Sequence, residues 1–576
     1  MFDAGTQGYT LHCQSHKPFM LRRELATVLG VAENEVRVIV PDVGGGFGMK
    51  GANFPEYALL LFTAKRLGLA VRWTATRSEA FLSDDQARDN DTCAALALDG
   101  EGRFLALRER TLANLGAWLS NFSPNSSTNN LGGLTGVYRI AAVHSAVTGV
   151  FTNTPPIGTY RGAGRPEATF AIERLIDLAA FETGRDKVAL RRLNLIADGS
   201  FPADTGFVFK YDSGAFEQGM KTAAEVSDTA GFETRRLESQ SRGRLRGLGF
   251  VNAIEQAGGG FEETAELHVD RDGGLTLAVG TISNGQGHET AYAKILDEVL
   301  GAPPGPLRLV QGDTVAVRHG VGTFGSRSMV AGGPASAMAA KRVVEKARLI
   351  AAHLLEVDKN AVEFGDGIFG IRGSNHCLTL KDIALAAYDI RELPPGMKPG
   401  LTERAVYVPE APTFPNSVHL CEVEVDPATG ETEILRYSVV DNVGRVVNPL
   451  LLEGQMHGGI MQGLGQALIE EICYDPRTGQ LMTGSFMDYA MPRADTMPAP
   501  AMAENHVPST VNPLGLKGAG EAGTVGALPV IVNAVIDALS VLGISRLDMP
   551  LSPARIWAAI NDARTSGQDN NSKGDR

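Results

Sequence analysis

The sequence is poor in the side-chain clusters that hold metals or form disulfides. Its 576 residues include five cysteines, none in a Cys-x-x-Cys pair, so an iron–sulfur cluster or zinc ribbon within this chain is not expected. The eleven histidines are scattered, without a His-Glu-x-x-His sequence. If a metal is bound, clustered side chains are therefore not its obvious ligands. The odd number and wide spacing of the cysteines fit reduced thiols in a cytoplasm.

Long apolar runs and an excess of basic residues are also missing. We expect no membrane-spanning segment, and residues 1–10 lack the basic region and apolar core of a signal peptide. The net charge of −13 argues against a nucleic-acid binder, which needs a basic face. With 43% hydrophobic and 21% charged residues, the composition is that of a soluble globular protein, and the length predicts two or more domains.

Nucleotide and hydrolase motifs are weak or absent. There is no Walker sequence and no Gly-x-Ser-x-Gly nucleophile elbow. Residues 46–51 match Gly-x-Gly-x-x-Gly between a predicted strand and helix, the dinucleotide-binding context. However, Pro41 and Asp42 interrupt the join, and the next strand lacks an acidic residue at the ribose position. A nicotinamide-dependent dehydrogenase is therefore an alternative of lower weight.

Six glycine-rich loops stand out, at residues 44–50, 160–165, 285–288, 322–328, 458–465 and 517–523. Glycine lets the backbone approach a ligand closely and turn its N–H groups towards it. Six such loops, most of them before a helix, indicate a large anionic ligand held by main chain and helix N-termini. The last loop carries Glu521, a candidate general base in a dry pocket, although an exposed loop glutamate is the plainer interpretation.

The pattern of the chain predicts an α+β fold. Helices are expected at residues 21–29, 53–68, 167–182, 332–355, 450–471 and 529–539, and strands at 36–40 and 71–76. Asp and Gly turns predict hairpins at 95–107, 265–279 and 423–435. We expect a first half over residues 1–235, a polar linker over 236–246, a second half over 247–565 and a disordered tail over 566–576.

Taken together, these loops resemble the molybdopterin-binding large subunit of the xanthine oxidase family of molybdenum hydroxylases, in particular its aerobic carbon monoxide dehydrogenase-like and aldehyde oxidase-like members. The resemblance runs in order over nearly the whole chain. It implies a two-part molybdenum cofactor-binding region of mixed sheets and long helices. It also implies that a preceding region, including a hammerhead domain, is missing, since the chain starts almost inside the first molybdenum-binding half.

The resemblance implies roles for particular residues. Glu521 matches the family's catalytic glutamate, with Arg161 and Gln14 as further catalytic positions, Gln14 beside the metal. The expected cofactor-binding residues are Gly45, Gly46, Phe47, Gly48, Tyr160, Arg161, Gly162, Gln286, Gly287, His288, Ser326, Arg327, Gln462, Lys517, Gly518, Ala519 and Gly520. No side chain is expected to bind the metal, because the pterin dithiolene supplies sulfur ligands.

The implied reaction is hydroxylation of an aldehyde or N-heterocycle carbon with water as oxygen source and Glu521 as base. The implied cofactor is molybdopterin, in its cytosine dinucleotide form, with molybdenum. Electrons would pass to a [2Fe–2S] small subunit and an FAD medium subunit, in a cytoplasmic dimer of heterotrimers. The resemblance disfavours carbon monoxide and xanthine, since the loop at 160–165 lacks the copper-binding cysteine and Gly51 lacks the acidic residue of purine oxidisers. A truncated, non-catalytic remnant or scaffold is the alternative.

Overall fold

The computed structural model describes residues 1–301 and 306–574, which form six sheets and fourteen α-helices. The helices are α1 Pro18–Leu29, α2 Pro55–Leu67, α3 Arg77–Ser83, α4 Asn125–Thr128, α5 Arg165–Thr183, α6 Lys187–Asn194, α7 Phe216–Val226, α8 Phe232–Ser241, α9 His288–Leu300, α10 Gly333–Leu354, α11 Leu380–Ala386, α12 Pro449–Leu464, α13 Ala522–Leu539 and α14 Pro553–Gly574. These elements confirm the predicted mixture of sheets and long helices.

The strands follow the same chain-order numbering. They are β1 Phe2–Asp3, β2 Gly8–His12, β3 Val36–Ile39, β4 Asn90–Leu98, β5 Phe104–Gly116, β6 Ala142–Phe151, β7 Ala203–Asp204, β8 Lys210–Tyr211, β9 Leu245–Ile254, β10 Glu263–Val269, β11 Leu275–Val279, β12 Leu307–Val310, β13 Val362–Gly365, β14 Ile368–Ile371, β15 Cys377–Thr379, β16 Leu401–Tyr407, β17 Asn416–Val425, β18 Thr432–Asn442 and β19 Ala501–Glu504. The three predicted hairpins are confirmed as β4–β5, β10–β11 and β17–β18.

Two four-stranded sheets carry most of the core. The sheet β19-β18-β17-β9 packs against α13, and α7 contacts the same strands. The sheet β12-β11-β10-β16 packs against α10, which also contacts α9. Apolar side chains from each sheet and its helices form a continuous buried cluster, and burial of this surface is the main stabilising contribution.

The two predicted halves interlock. One buried cluster contains Ile176 of α5, Phe250 of β9 and Leu420 of β17, so early and late segments share a core. The predicted linker at 236–246 is mostly regular structure, because α8 runs to Ser241 and β9 starts at Leu245. Arg235 and Arg246 both pair with the buried Glu422, which fixes this segment against β17.

Three further local differences from the predictions concern residues 71–76, the start of α13 and the C-terminal tail. Residues 71–76 form no strand. The last core helix, α13, starts at Ala522 and not at Pro529, which lies inside it. In place of the predicted disordered tail, α14 continues to Gly574, and residues 575–576 lie outside the described residues.

The prediction of no apolar run of membrane-spanning length is wrong for one helical stretch. Ala522–Leu542 is long and apolar enough to cross a membrane, with a mean hydropathy of 2.1. Yet 78% of its most apolar 18-residue segment is buried in the protein, and α13 contacts β9, α5 and α12. It is therefore the central core helix, and its N-terminal neighbour Glu521 marks where the core meets the candidate site.

Candidate functional site

A cavity of about 680 Å³ collects residues from nearly the whole length of the chain. All six glycine-rich loops contribute to its wall, together with the loop around residues 256–261 and residues 443–448. The predicted site residues that line it are Gly46, Phe47, Gly48, Tyr160, Arg161, Gln286, His288, Ser326, Lys517, Gly518, Ala519, Gly520 and Glu521. Sequence reasoning therefore located the cavity, although not every residue of its wall.

Glu521 is the carboxylate at the centre of this arrangement. It is the N-cap residue of α13, where the helix dipole favours negative charge. The backbone N–H of Gly162 donates to Oε1 over 2.9 Å, and Ser326 Oγ donates to Oε2 over 2.8 Å. Two loops distant in sequence thus hold both oxygens of the carboxylate in fixed orientation.

A second carboxyl group, Glu255, lies behind Ser326 and was missed from the sequence. Its side chain is 2% exposed, and its Oε1 lies 3.1 Å from Ser326 Oγ. Burial first, and the charge of Glu521 second, raise the pKa of Glu255 well above its ordinary value. The protonated form of Glu255 is therefore favoured by its surroundings. The glycines at positions 258–260, all with positive φ, are the sequence signal for this loop.

The hydroxyl of Ser326 connects the two acids. A hydroxyl has one proton to donate and two lone pairs to accept with. Ser326 Oγ lies within hydrogen-bond distance of both acids, and its single proton can be donated to Glu521 or to Glu255. The chain Glu255–Ser326–Glu521 thus ends in a carboxylate that faces the cavity.

Arg161 is a buried cation beside this carboxylate. It is 5% exposed, and its Nε donates to the carbonyl of Gly520 over 2.6 Å. Its other nitrogens donate to the carbonyl of Gln455 over 3.0 Å and to Oε1 of Gln462 over 3.2 Å. Gln462 itself does not line the cavity, so it acts here by holding Arg161. The guanidinium also lies 5.4 Å from the centre of the Phe47 ring.

Gln14, a predicted site residue, lies outside the cavity wall. It is exposed, and its backbone carbonyl accepts from the Tyr57 hydroxyl. His16, two residues further on, lines the cavity. Its Nδ1 bonds to the carbonyl of Thr323 over 3.0 Å, and its buried Nε2 has no hydrogen-bond partner among the described residues. Burial lowers the pKa of His16 to about 4, so Nε2 is a free acceptor.

Arg327 also lies behind the wall and not in it. Its guanidinium pairs with buried Glu263 and donates to the carbonyl of Gly322 over 2.7 Å. It thus fixes the loop that presents Ser326, instead of contacting a ligand itself. The remaining predicted positions outside the wall are Gly45, Gly162 and Gly287, which are backbone neighbours of wall residues.

Another part of the wall offers unused polar groups. Both amide atoms of Asn284 and Nε2 of His288 are buried without a hydrogen-bond partner among the described residues. Lys517 donates to the carbonyl of Ser213 over 3.2 Å, and burial lowers its pKa to about 8. Arg445, which the sequence did not single out, lines the cavity as well. These groups suit a polar, anionic ligand.

Glycine is required where backbone and side chains approach closely. A Cβ at Gly46 would lie 2.0 Å from His16 Nε2, and one at Gly518 would lie 2.3 Å from the carbonyl oxygen of Ser326. A metal ion would need other ligands than side chains: within residues 1–301 and 306–574, no three or more His, Cys, Asp or Glu are arranged to hold one.

Comparison with known proteins identifies the family. Models of the molybdopterin cofactor-binding domain match residues 1–195 and 222–498. The chain is 34% identical to the carbon monoxide dehydrogenase large chain of Hydrogenophaga pseudoflava, covering 97% of this chain and 72% of that protein. It is 37% identical to the gamma subunit of the 6-hydroxypseudooxynicotine dehydrogenase complex of Paenarthrobacter nicotinovorans, covering 93% and 68%.

Comparison with solved structures leads to the same family. Quinoline 2-oxidoreductase from Pseudomonas putida 86 superimposes with a TM-score of 0.93 at 33% identity, over 97% of this chain and 73% of that chain. Reconstituted carbon monoxide dehydrogenase from Oligotropha carboxidovorans gives 0.93 at 32% identity, over 98% and 72%. These matches favour a molybdopterin-binding protein over the alternative of a nicotinamide-dependent dehydrogenase. The chain belongs to the xanthine oxidase family, as the molybdopterin-binding large subunit of a molybdenum hydroxylase of the carbon monoxide, aldehyde and N-heterocycle type.

Proposed function

We propose that this subunit hydroxylates an electrophilic carbon of an aldehyde or N-heterocycle, with water as oxygen source and Glu521 as general base. The observation that supports this most is the carboxylate of Glu521, held at both oxygens and facing the cavity. A base must be oriented and able to change protonation state, and this geometry provides the first of these.

The wall residues fit a molybdopterin dinucleotide. Asn284 and His288 have unused hydrogen-bonding atoms, and Lys517 and Arg445 carry positive charge for phosphates. The 13-residue helix α9 begins at His288, and a helix N-terminus favours bound phosphate. We propose the cytosine dinucleotide form, held by these groups and by the 517–520 backbone.

When bound, this cofactor supplies the molybdenum that accepts two electrons from the substrate. The residues of the chain do the rest. Glu521 takes a proton at its carboxylate, while Gly162 N–H and Ser326 Oγ keep it oriented. Arg161, fixed by Gly520 and Gln455, supplies a rigid positive charge that stabilises developing negative charge.

Relatives guide the choice of substrate. They include the nicotine 6-hydroxylase large subunit of Paenarthrobacter nicotinovorans and quinoline 2-oxidoreductase, whose names indicate N-heterocycles. Carbon monoxide is disfavoured as a substrate, because the loop at 160–165 contains no copper-binding cysteine and none of the five cysteines lines the cavity. We further propose [2Fe–2S] and FAD partner subunits, a dimer of heterotrimers and a cytoplasmic location.

The first test is composition. The chain, purified with its partner subunits, is expected to contain close to one molybdenum and one releasable cytidine nucleotide per chain. A metal-free, nucleotide-free complex would contradict the proposal and favour the scaffold alternative.

The second test is the base. Glu521→Gln is expected to lower kcat/KM by about 10²–10⁴-fold with an aldehyde or N-heterocycle, because proton abstraction is lost. Molybdenum and nucleotide contents should not change. The exposed Glu431→Gln is the matched control and should retain full activity. A fully active Glu521→Gln enzyme would show that another group is the base.

A further inference from the structure

One wall of the cavity is an aromatic recess with a lysine in it, formed by Lys17, Met20, Phe122, Phe261 and Phe324. Lys17 Nζ lies 3.2 Å from the centre of the Phe122 ring and 4.7 Å from that of Phe324. Phe324 packs edge-on against Phe261, with ring centroids 5.7 Å apart. The recess thus combines flat apolar faces with one ammonium group.

The charge of Lys17 is not neutralised. The residue is 7% exposed, and within the described part of the chain its ammonium has no hydrogen-bond or ion-pair partner, while the rings of Phe122 and Phe324 lie close to it. Glu24 acts on it only at longer range, and burial lowers the pKa of Lys17 to about 7. The neighbouring His16 is neutral, since burial lowers its pKa to about 4. A buried lysine is normally paired, so this one lacks an anion.

The recess adjoins the proposed base. Phe324 precedes by two residues Ser326, whose hydroxyl binds Glu521. On the other side, Lys17 follows His16, whose ring lies within electrostatic range of Glu521. The recess and the carboxylate that takes the proton therefore belong to the same cavity wall.

We propose that this recess binds a carboxylate carried on an aromatic ring, so that the substrates are anionic aromatic aldehydes or N-heterocycle carboxylates. That these molecules are substrates rests on the proposed function, whereas their binding to the recess does not. The ring packs beside Phe261 and Phe324, and the carboxylate accepts from Lys17.

A phosphate of the cofactor fits this recess less well. Phosphate binds where several N–H donors are available, and Asn284, His288 and Lys517 supply such donors elsewhere in the cavity wall. The recess has a single ammonium among phenyl rings, which matches one carboxylate on a flat apolar body.

Binding of an unreactive pair of ligands tests the proposal directly. Calorimetric titration of the loaded complex with benzoate and with benzamide is expected to show benzoate binding at least about tenfold more tightly. Lys17→Met should remove this preference and leave benzamide binding unchanged, and Lys17→Arg should keep it. Lys65→Met is the matched control, because Lys65 is an exposed lysine that also faces aromatic rings, those of Phe2 and Tyr9.

Three results would overturn the proposal. Benzoate and benzamide could bind the wild-type complex equally, or the preference could survive in Lys17→Met. Alternatively, Lys17→Met could lose molybdenum or cytidine nucleotide while Lys65→Met keeps them, which would assign Lys17 to the cofactor.

Turnover separates this proposal from the proposed function. The loaded complex is assayed with benzaldehyde and with para-carboxybenzaldehyde, and with nicotinamide and nicotinate. Oxidation without a preference for the anionic member contradicts the recess proposal alone. A benzoate preference in titration without oxidation of any of the four contradicts the proposed function alone.

Discussion

Two buried acid clusters in this protein differ in what accompanies them. In the core, Glu173 pairs with Arg191 over 2.6 Å, both fully buried, and Arg191 also reaches Asp177 over 2.7 Å. At the cavity, Glu255 and Glu521 both contact the hydroxyl of Ser326, and no salt bridge to either carboxylate is found among the described residues. The carboxylates of the first cluster are paired directly with a cation, whereas those of the second are held by hydrogen bonds. Buried carboxylates without a direct ion pair are costly for folding, so their presence at a cavity is typical of a functional site.

The largest effect is expected at the core cluster. Arg191→Met leaves Glu173 and Asp177 buried without their counter-charge and should lower the free energy of unfolding by about 3–5 kcal/mol. Thermal and denaturant unfolding of the chain in its complex measure this. The neighbouring Arg192→Met, at an exposed position, is the control. Equal stability of both variants would remove the contrast between the clusters.

At the cavity, the effect of replacing Glu255 on the free energy of unfolding should depend on pH. The pKa of Glu255 is raised in the folded state, so the folded protein binds more protons than the unfolded chain above the ordinary glutamate pKa of 4.5. The free energy of unfolding of the wild type therefore falls as the pH rises from 4.5 towards the raised pKa, by up to about 1.4 kcal/mol for each pH unit. Glu255→Gln cannot ionise and avoids this loss.

The measurement is the difference in Tm between Glu255→Gln and wild type, which should be more favourable to the variant at about pH 8 than at about pH 4. A pH-independent difference would mean that Glu255 does not hold a proton in the folded state.

Replacement of Ser326 should have an intermediate effect, and this effect should be on activity and not on stability. Removing its hydroxyl releases one oxygen of Glu521, and kcat should fall about tenfold in Ser326→Ala. Because Ser326 has a φ of 55°, Ser326→Gly relieves the backbone while also lacking the hydroxyl. Equal losses in both variants would assign the effect to the hydroxyl, and normal activity of Ser326→Gly would assign it to the backbone.

The smallest effect is expected at Gln14. Gln14→Ala should change kcat and molybdenum content by less than about twofold, as at other exposed positions. His16→Leu, which removes the free acceptor Nε2 from the cavity, should lower activity or metal content more strongly. The reverse order would restore Gln14 as the site residue.

Sequence reasoning succeeded where local pattern decides the structure. Glycine loops and Asp-Gly hairpins are local signals, and both appear in the structure. Glu521 was found because its loop is rich in glycine. The residues that the sequence did not reveal depend on tertiary contacts. In the sequence, Glu255 and Lys17 look like ordinary charged residues, and only the fold shows that they are buried. Likewise, only the fold shows that the turn before α1 directs His16, and not Gln14, into the cavity wall.

The close contact of α12 and α13 has a mechanical consequence. A Cβ at Gly459 would lie 3.0 Å from Cα of Gly523, and one at Gly463 would lie 2.7 Å from Cβ of Ala527, so the two helices meet backbone to backbone. Gln455 and Gln462 of α12 hold Arg161, and Glu521 opens α13. Arg161 and Glu521 are therefore positioned by two helices in direct backbone contact, so a change in the distance between the two charges would require the helices to shift against each other or the hydrogen bonds of Arg161 to break.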